Sequence, residues 1–177
     1  MIDKKVPKVF LLDVDGVMTT GQFFYTEEGK TMKVFGPDDN DALSLLKPYL
    51  EIIFVTGDKK GFNISSKRIV DDMKFSLELV STIQRAKWIS ERYSPNEVIY
   101  MGDGIFDHYV FKEVGYSIAT NNADENAKRH ANYVTKRDGG NRAVAEACLH
   151  ILEKFFEPYN PERLPSSQLK LSEEWVV

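Results

Sequence analysis

Short apolar runs recur along the chain, and most of them stop abruptly at Asp, Thr or Gly. Lys8-Val9-Phe10-Leu11-Leu12 is followed at once by Asp13-Val14-Asp15-Gly16, which reads as a buried strand with two acids at its carboxyl end. Two strand-like runs, 21–26 and 30–35, flank Glu27-Glu28-Gly29 and predict a β-hairpin over about 21–35. Gly36-Pro37-Asp38-Asp39 breaks that strand and opens a helix through Leu43, Leu45, Leu46 and Tyr49. A second buried strand, 52–55, is closed by Thr56-Gly57-Asp58, a helix near 59–71 follows, and 75–80 reads as a third strand. Ile83, Ala86, Ile89 and Tyr93 have helical spacing, and Ser94-Pro95-Asn96 ends their helix. The run 98–101 is a further buried strand, terminated by Gly102-Asp103-Gly104, with Asp107 a turn into the next helix. Shorter strands at 116–119 and 132–135 bracket a small helix. After Gly139-Gly140, Val144, Ala147, Cys148, Ile151, Leu152 and Phe155 line one face of a last helix.

Repeated strand-then-helix units predict an α/β fold: a Rossmann-like, mostly parallel sheet with helices on both faces, interrupted by a hairpin flap after the first strand. The chain has 177 residues, the length of one compact domain, expected over residues 1–157. From 158 the texture changes. Pro158, Pro161 and Pro165 space out a tail, 158–177, that finishes in Trp175, Val176 and Val177. Its expected fates are a disordered terminus or docking onto the chain's own core or a neighbouring subunit.

Charge narrows the partners. The 23 Lys+Arg against 27 Asp+Glu leave a net charge of −4, which argues against nucleic acid or an anionic membrane as the main partner. The single cysteine, Cys148, makes no internal disulfide, and no apolar run nears the ~18 residues of a membrane span. Met1-Ile2-Asp3-Lys4-Lys5 lacks the apolar stretch of a signal peptide, so a cytoplasmic location is expected.

In an open α/β sheet, ligands bind beyond the carboxyl ends of the strands. Three strands end there in usable chemistry: Asp13 with Asp15, Thr56, and Asp103. Gly16 lets the chain turn, so both carboxyls of the first pair can face one cavity. Clustered carboxylates repel unless a cation sits between them, and oxygen ligands suit a hard ion such as Mg²⁺, which favours substrate phosphate oxygens as further ligands. That points to phosphoryl transfer, in which one carboxylate attacks phosphorus and a second handles the proton. The Thr56 hydroxyl and the amides after it, at Gly57 and Asp58, would hold the phosphoryl oxygens.

Asp13-Val14-Asp15-Gly16-Val17, Val55-Thr56-Gly57 and Gly102-Asp103-Gly104-Ile105-Phe106-Asp107 resemble motifs one, two and four of the haloacid dehalogenase-like phosphatases. The hairpin directly after motif one, the lack of room for a large cap and Gly139-Gly140-Asn141-Arg142-Ala143-Val144 resemble the capless branch that acts on KDO-phosphate and KDN-phosphate. The resemblance covers roughly residues 8–157. It implies that Asp13 is the nucleophile, Asp15 the acid/base and Thr56 a phosphate-binding hydroxyl. Asp13, the Asp15 carbonyl and Asp103 would hold Mg²⁺, with Gly16 and Asp107 supporting them. It also implies a homotetramer with packed hairpins. The two apolar sides of the Phe23–Phe35 segment, and a capless site lying open to water, lead to an oligomer independently.

Three departures stand out. The lysine such enzymes carry before motif four falls on Thr82. Arg85, one turn later, can reach the same cavity, whereas Lys87 points roughly 180° away from Thr82 at ~100° per residue; both remain candidates, and Lys87 equally suits a surface. Asp58 and Asp38-Asp39-Asn40 stand where the sugar-acid phosphatases carry an arginine and an Arg-Asp-Gly stretch. Acids there should weaken binding of a substrate with its own carboxylate, so a sugar phosphate other than the usual eight- or nine-carbon acid is expected. The rival functions are a non-catalytic assembly or regulatory domain and a receiver-like signalling module. Gly29-Lys30-Thr31 lacks the upstream glycine of a phosphate loop, and His108, His130 and His150 are dispersed.

Overall fold

In the computed structural model, which describes residues 6–165, eight strands and six helices follow one another along the chain. Six strands make one sheet in the order β5-β4-β1-β6-β7-β8: β5 (Ser76–Leu79), β4 (Glu51–Thr56), β1 (Val9–Asp13), β6 (Val98–Gly102), β7 (Tyr116–Ala119) and β8 (Tyr133–Val134). Every pairing in it is parallel. The chain builds outward from β1 on one side through β4 and β5, then returns to add β6 on the other. The carboxyl end of β1 is therefore the switch point at which a crevice opens.

Strand alternation feeds two cores. Phe10 and Leu12 of β1 face a cluster closed by α1 (Asp39–Leu46) and α6 (Ala143–Phe155). Val9 and Leu11 face one closed by α3 (Arg85–Ser90), α4 (Asp107–Phe111) and α5 (Glu125–His130). Because β1, β4 and β6 are buried on both faces, they read as unbroken apolar runs rather than alternating ones. The helix expected near 59–71 is α2 (Phe62–Ser66), which continues in wider turns through Asp72.

The hairpin β2 (Thr19–Thr26) and β3 (Gly29–Phe35) forms a separate antiparallel sheet. Phe23, Phe24, Tyr25, Met32 and Val34 of the hairpin are exposed, while Lys33 is buried. The usual pattern is thus inverted, with apolar side chains in water and a cation against the protein. No helix among the described residues is long and apolar enough to cross a membrane. Residues 158–165 lie beside Leu45, Tyr49 and Leu152 around a cavity of about 240 Å³; the rest of the tail lies outside the described residues.

Candidate active site

After Asp13 the chain turns through Val14–Met18, with Asp15 extended and Gly16 at φ 91°. Gly16 is required twice over. An L side chain is strained at that φ, and a Cβ there would lie 1.9 Å from Asp103 Oδ2. This close approach carries the end of β6 against the loop that follows β1.

Asp13 is buried, accepts the Val14 N–H through Oδ1 at 2.8 Å, and meets Arg85 Nη1 through Oδ2 at 3.0 Å. Burial raises its pKa, Arg85 opposes that rise, and the Asp107 charge adds to it. Arg85 opens α3 and is fully buried. Its Nη1 also donates to the Tyr100 hydroxyl and lies 3.5 Å from Asp107 Oδ1. Burial works against its charge, but Tyr100, Asp13 and Asp107 outweigh that and hold it firmly protonated. Tyr100 in turn donates to Asp107 Oδ1 at 2.7 Å, and Asp107 Oδ2 accepts the N–H groups of Asp103 (2.9 Å) and Gly104 (2.8 Å). Asp107, the first residue of α4, so fixes the backbone that presents Asp103.

Carboxylate oxygens of Asp13, Asp103 and Asp107 lie within 4.8 Å of one another. Burial first, then the charges of Asp13, Asp107 and Asp15, push the Asp103 pKa up to about 8 against the pull of Arg85. One guanidinium does not balance this cluster. An oxygen-only donor set with excess negative charge suits a hard divalent cation.

Asp15 turns the other way. Its carboxylate meets Lys33 Nζ at 2.8 Å and 2.9 Å, and the Thr56 hydroxyl lies 3.4 Å from Oδ2. Burial raises its pKa and Lys33 offsets part of the rise. Thr56 ends β4, is buried, and accepts the Asp58 N–H at 3.1 Å. Burial would raise Asp58, but Lys30, Lys33 and the Gly61 N–H outweigh it and hold its pKa at about 2. The acid expected to repel a carboxylate-bearing substrate is therefore already paired with two cations. Asp38 likewise pairs with Arg142.

The structure thus brings Asp13, Asp15, Gly16, Thr56, Arg85, Asp103 and Asp107 together, with Gly57 and Asp58 adjoining them. Thr82 stands beside Gly57, its Oγ1 3.5 Å from where a Gly57 Cβ would lie. Lys87 is not in the cluster: its side chain is 81% exposed and lies 3.7 Å from Glu91. Sequence reasoning overlooked Lys33, Lys30, Ser65 and Tyr100. The inverted alternation Met32-Lys33-Val34 was a signal for Lys33; Tyr100 looked like any aromatic of a buried strand.

A family model described as haloacid dehalogenase-like hydrolase matches residues 62–147. The chain is 28% identical over 156 residues to the 3-deoxy-D-manno-octulosonate 8-phosphate phosphatase of Yersinia pestis, covering 82% of this chain and 79% of that one. The Moraxella catarrhalis enzyme of the same name, solved with magnesium, phosphate and KDO, superposes with a TM-score of 0.72 at 26% identity, over 85% of this chain and 88% of the other. A cobalt-bound phosphatase structure from Haemophilus influenzae has a TM-score of 0.73 at 23% identity, over 85% and 90%; at that identity the likeness speaks for the fold. Strand endings, switch point and relatives agree in one direction: the chain is similar to the haloacid dehalogenase-like hydrolases, over residues 62–147 by the family model and over four-fifths of its length by the phosphatase relatives.

Proposed function

We propose that this chain is a Mg²⁺-dependent phosphomonoesterase that acts on a sugar phosphate through an aspartyl-phosphate on Asp13. The observation that carries the reading is the pair Asp13 and Asp15 at the end of β1, two residues apart yet held by different cations, Arg85 and Lys33. Its relatives among the KDO 8-phosphate phosphatases support the substrate class.

In the first half-reaction an Asp13 oxygen bonds to phosphorus. The P–O ester bond breaks with its electron pair on the leaving oxygen, which takes a proton from Asp15. In the second, water attacks phosphorus and gives a proton to Asp15, the Asp13–P bond breaks, and inorganic phosphate leaves. Arg85 holds Asp13 in place from beneath. The Thr56 hydroxyl and the Gly57 amide would bind the transferred oxygens, while the Asp58 N–H is donated to Thr56 Oγ1 and holds that hydroxyl in place. Asp13, Asp103 and the Asp15 carbonyl would hold Mg²⁺, with Asp107 behind them. When bound, the cation supplies positive charge to the phosphoryl oxygens.

The exposed aromatic hairpin supports a homo-oligomer, most simply a tetramer with packed flaps; sedimentation at micromolar concentration should give no monomer. Asp58 and Asp38 stand where cations are expected, but Lys30, Lys33 and Arg142 neutralise them, so a panel of neutral and acidic sugar phosphates decides whether the substrate carries its own carboxylate. The primary test is phosphate release from a sugar-phosphate panel with Mg²⁺. The wild type should turn over, and Asp13→Asn should lose about a thousandfold, roughly 4 kcal/mol of barrier. A wild type without turnover would favour the non-catalytic domain.

A further inference from the structure

The phosphatase reading leaves one fully buried charge without a task. The Lys33 side chain comes from the flap, not from the sheet, and none of it is exposed. Its ammonium meets Asp15 Oδ1 at 2.8 Å and Oδ2 at 2.9 Å, Asp58 Oδ2 at 2.9 Å, and the Ser65 hydroxyl at 2.8 Å. It thereby ties together the loop after β1, the loop after β4, and α2. Lys30, from the same strand, pairs with Asp58 and lies 3.4 Å from the centre of the Phe23 ring. Two cations and two carboxylates close a charge-balanced cluster under the hairpin.

Gly61 shows that the protein is shaped around this cluster. A Cβ there would lie 2.2 Å from Asp58 Oδ2, 2.7 Å from Lys33 Cε and 2.9 Å from Lys30 Cδ. Burying an ammonium is costly unless every proton has a partner, and here Lys33 finds three: Asp15, Asp58 and Ser65.

We infer that Lys33 is a positioning residue for the leaving-group step: by donating to Asp15 Oδ2 it fixes that side chain and leaves Oδ1, which has no hydrogen-bond partner among the described residues, to carry the proton to the ester oxygen. The inference rests on the phosphatase reading and goes beyond it. Asp15 sits on a turn with extended backbone dihedrals, where nothing in its own loop fixes the side-chain rotamer. The flap supplies that constraint through Lys33. Misplacing a reacting group by about 1 Å costs up to ~100-fold.

A leaving group that needs no proton isolates this role from simple loss of structure. p-Nitrophenolate departs unaided, whereas phenolate, with a conjugate acid near pKa ~10 like tyrosine, benefits from proton donation. For Lys33→Met, the kcat/KM ratio of phenyl phosphate to p-nitrophenyl phosphate, which reads the leaving-group step and not the hydrolysis of the shared phosphoryl-enzyme, should fall about tenfold below the wild-type ratio. Gly61→Ala, which crowds Lys33 without altering it, should shift the ratio in the same direction and serves if Lys33→Met fails to fold. An equal loss on both esters, or an unchanged ratio, overturns the positioning role while leaving the phosphatase reading intact. A wild type that releases phosphate from neither the aryl esters nor the sugar-phosphate panel overturns both.

Discussion

The floor beneath β1 and the flap above it stabilise neighbouring carboxylates by opposite means. On the floor, Arg85 serves Asp13 and Asp107 together and is completed by Tyr100, and its Nε and Nη2 have no partners among the described residues. Negative charge exceeds positive there, and Asp103 is pushed up to about 8. Under the flap, Lys33 and Lys30 match Asp15 and Asp58 charge for charge, and Asp58 is held at about 2. The floor therefore lacks a cation that the flap does not lack. That difference supports the proposed metal site at Asp13 and Asp103 and the proposed proton role of Asp15.

The largest way to break the comparison is to remove the floor cation. Arg85→Met leaves two buried carboxylates uncompensated, and breaking a buried pair costs about 3–5 kcal/mol. Denaturant unfolding should show that loss, and phosphate release with saturating Mg²⁺ should fall at least ~100-fold; near-native values in both would remove Arg85 from the account. Tyr100→Phe is gentler. It deprives Arg85 and Asp107 of one partner each, at about 1–3 kcal/mol, and turnover should fall less than in Arg85→Met.

Metal binding sharpens the contrast by its pH dependence. With Asp103 at about 8, a proton must leave before its oxygen can serve as a ligand. The rise in melting temperature on adding Mg²⁺ should therefore grow from pH 6 to pH 9; a constant rise would contradict the excess charge on the floor.

A separate pH effect comes from an acid with no ion pair among the described residues. Asp39 accepts the Ala145 N–H through Oδ1, its Oδ2 has no partner among the described residues, and burial lifts its pKa to about 6. A raised carboxyl favours folding most when protonated. Its contribution is fully present below the ordinary ~3.9 and is lost as the pH rises through about 6. Asp58 runs the opposite way: its contribution is present above ~3.9 and is lost as the pH falls through about 2. Asp39→Asn should flatten the fall in melting temperature between pH 4 and pH 7, and an unaltered slope would refute this.

Much of the floor was legible because it is local. Asp13, Thr56 and Asp103 end buried strands, and a parallel sheet aligns its strand ends on one edge. Helical phase favoured Arg85, one turn from Thr82, and kept Lys87 as a second candidate; the structure buries Arg85 and exposes Lys87. The flap was less legible because burial of Lys33 is decided by partners 18 and 32 residues away, Asp15 and Ser65. A hairpin with two apolar sides leaves open which side meets the protein. Tyr100 was hidden for a similar reason: its ring fits the core like any aromatic, and only the packing of α3 and α4 shows that its hydroxyl joins Arg85 to Asp107.

The most direct test follows the phosphoryl group itself. Asp15→Asn lacks the base for the second half-reaction, so with Mg²⁺ and p-nitrophenyl phosphate the protein should gain the mass of one phosphoryl group, carried on the peptide containing Asp13. Phosphate turnover by the wild type with no such adduct in Asp15→Asn, or with the adduct on another residue, would contradict the account.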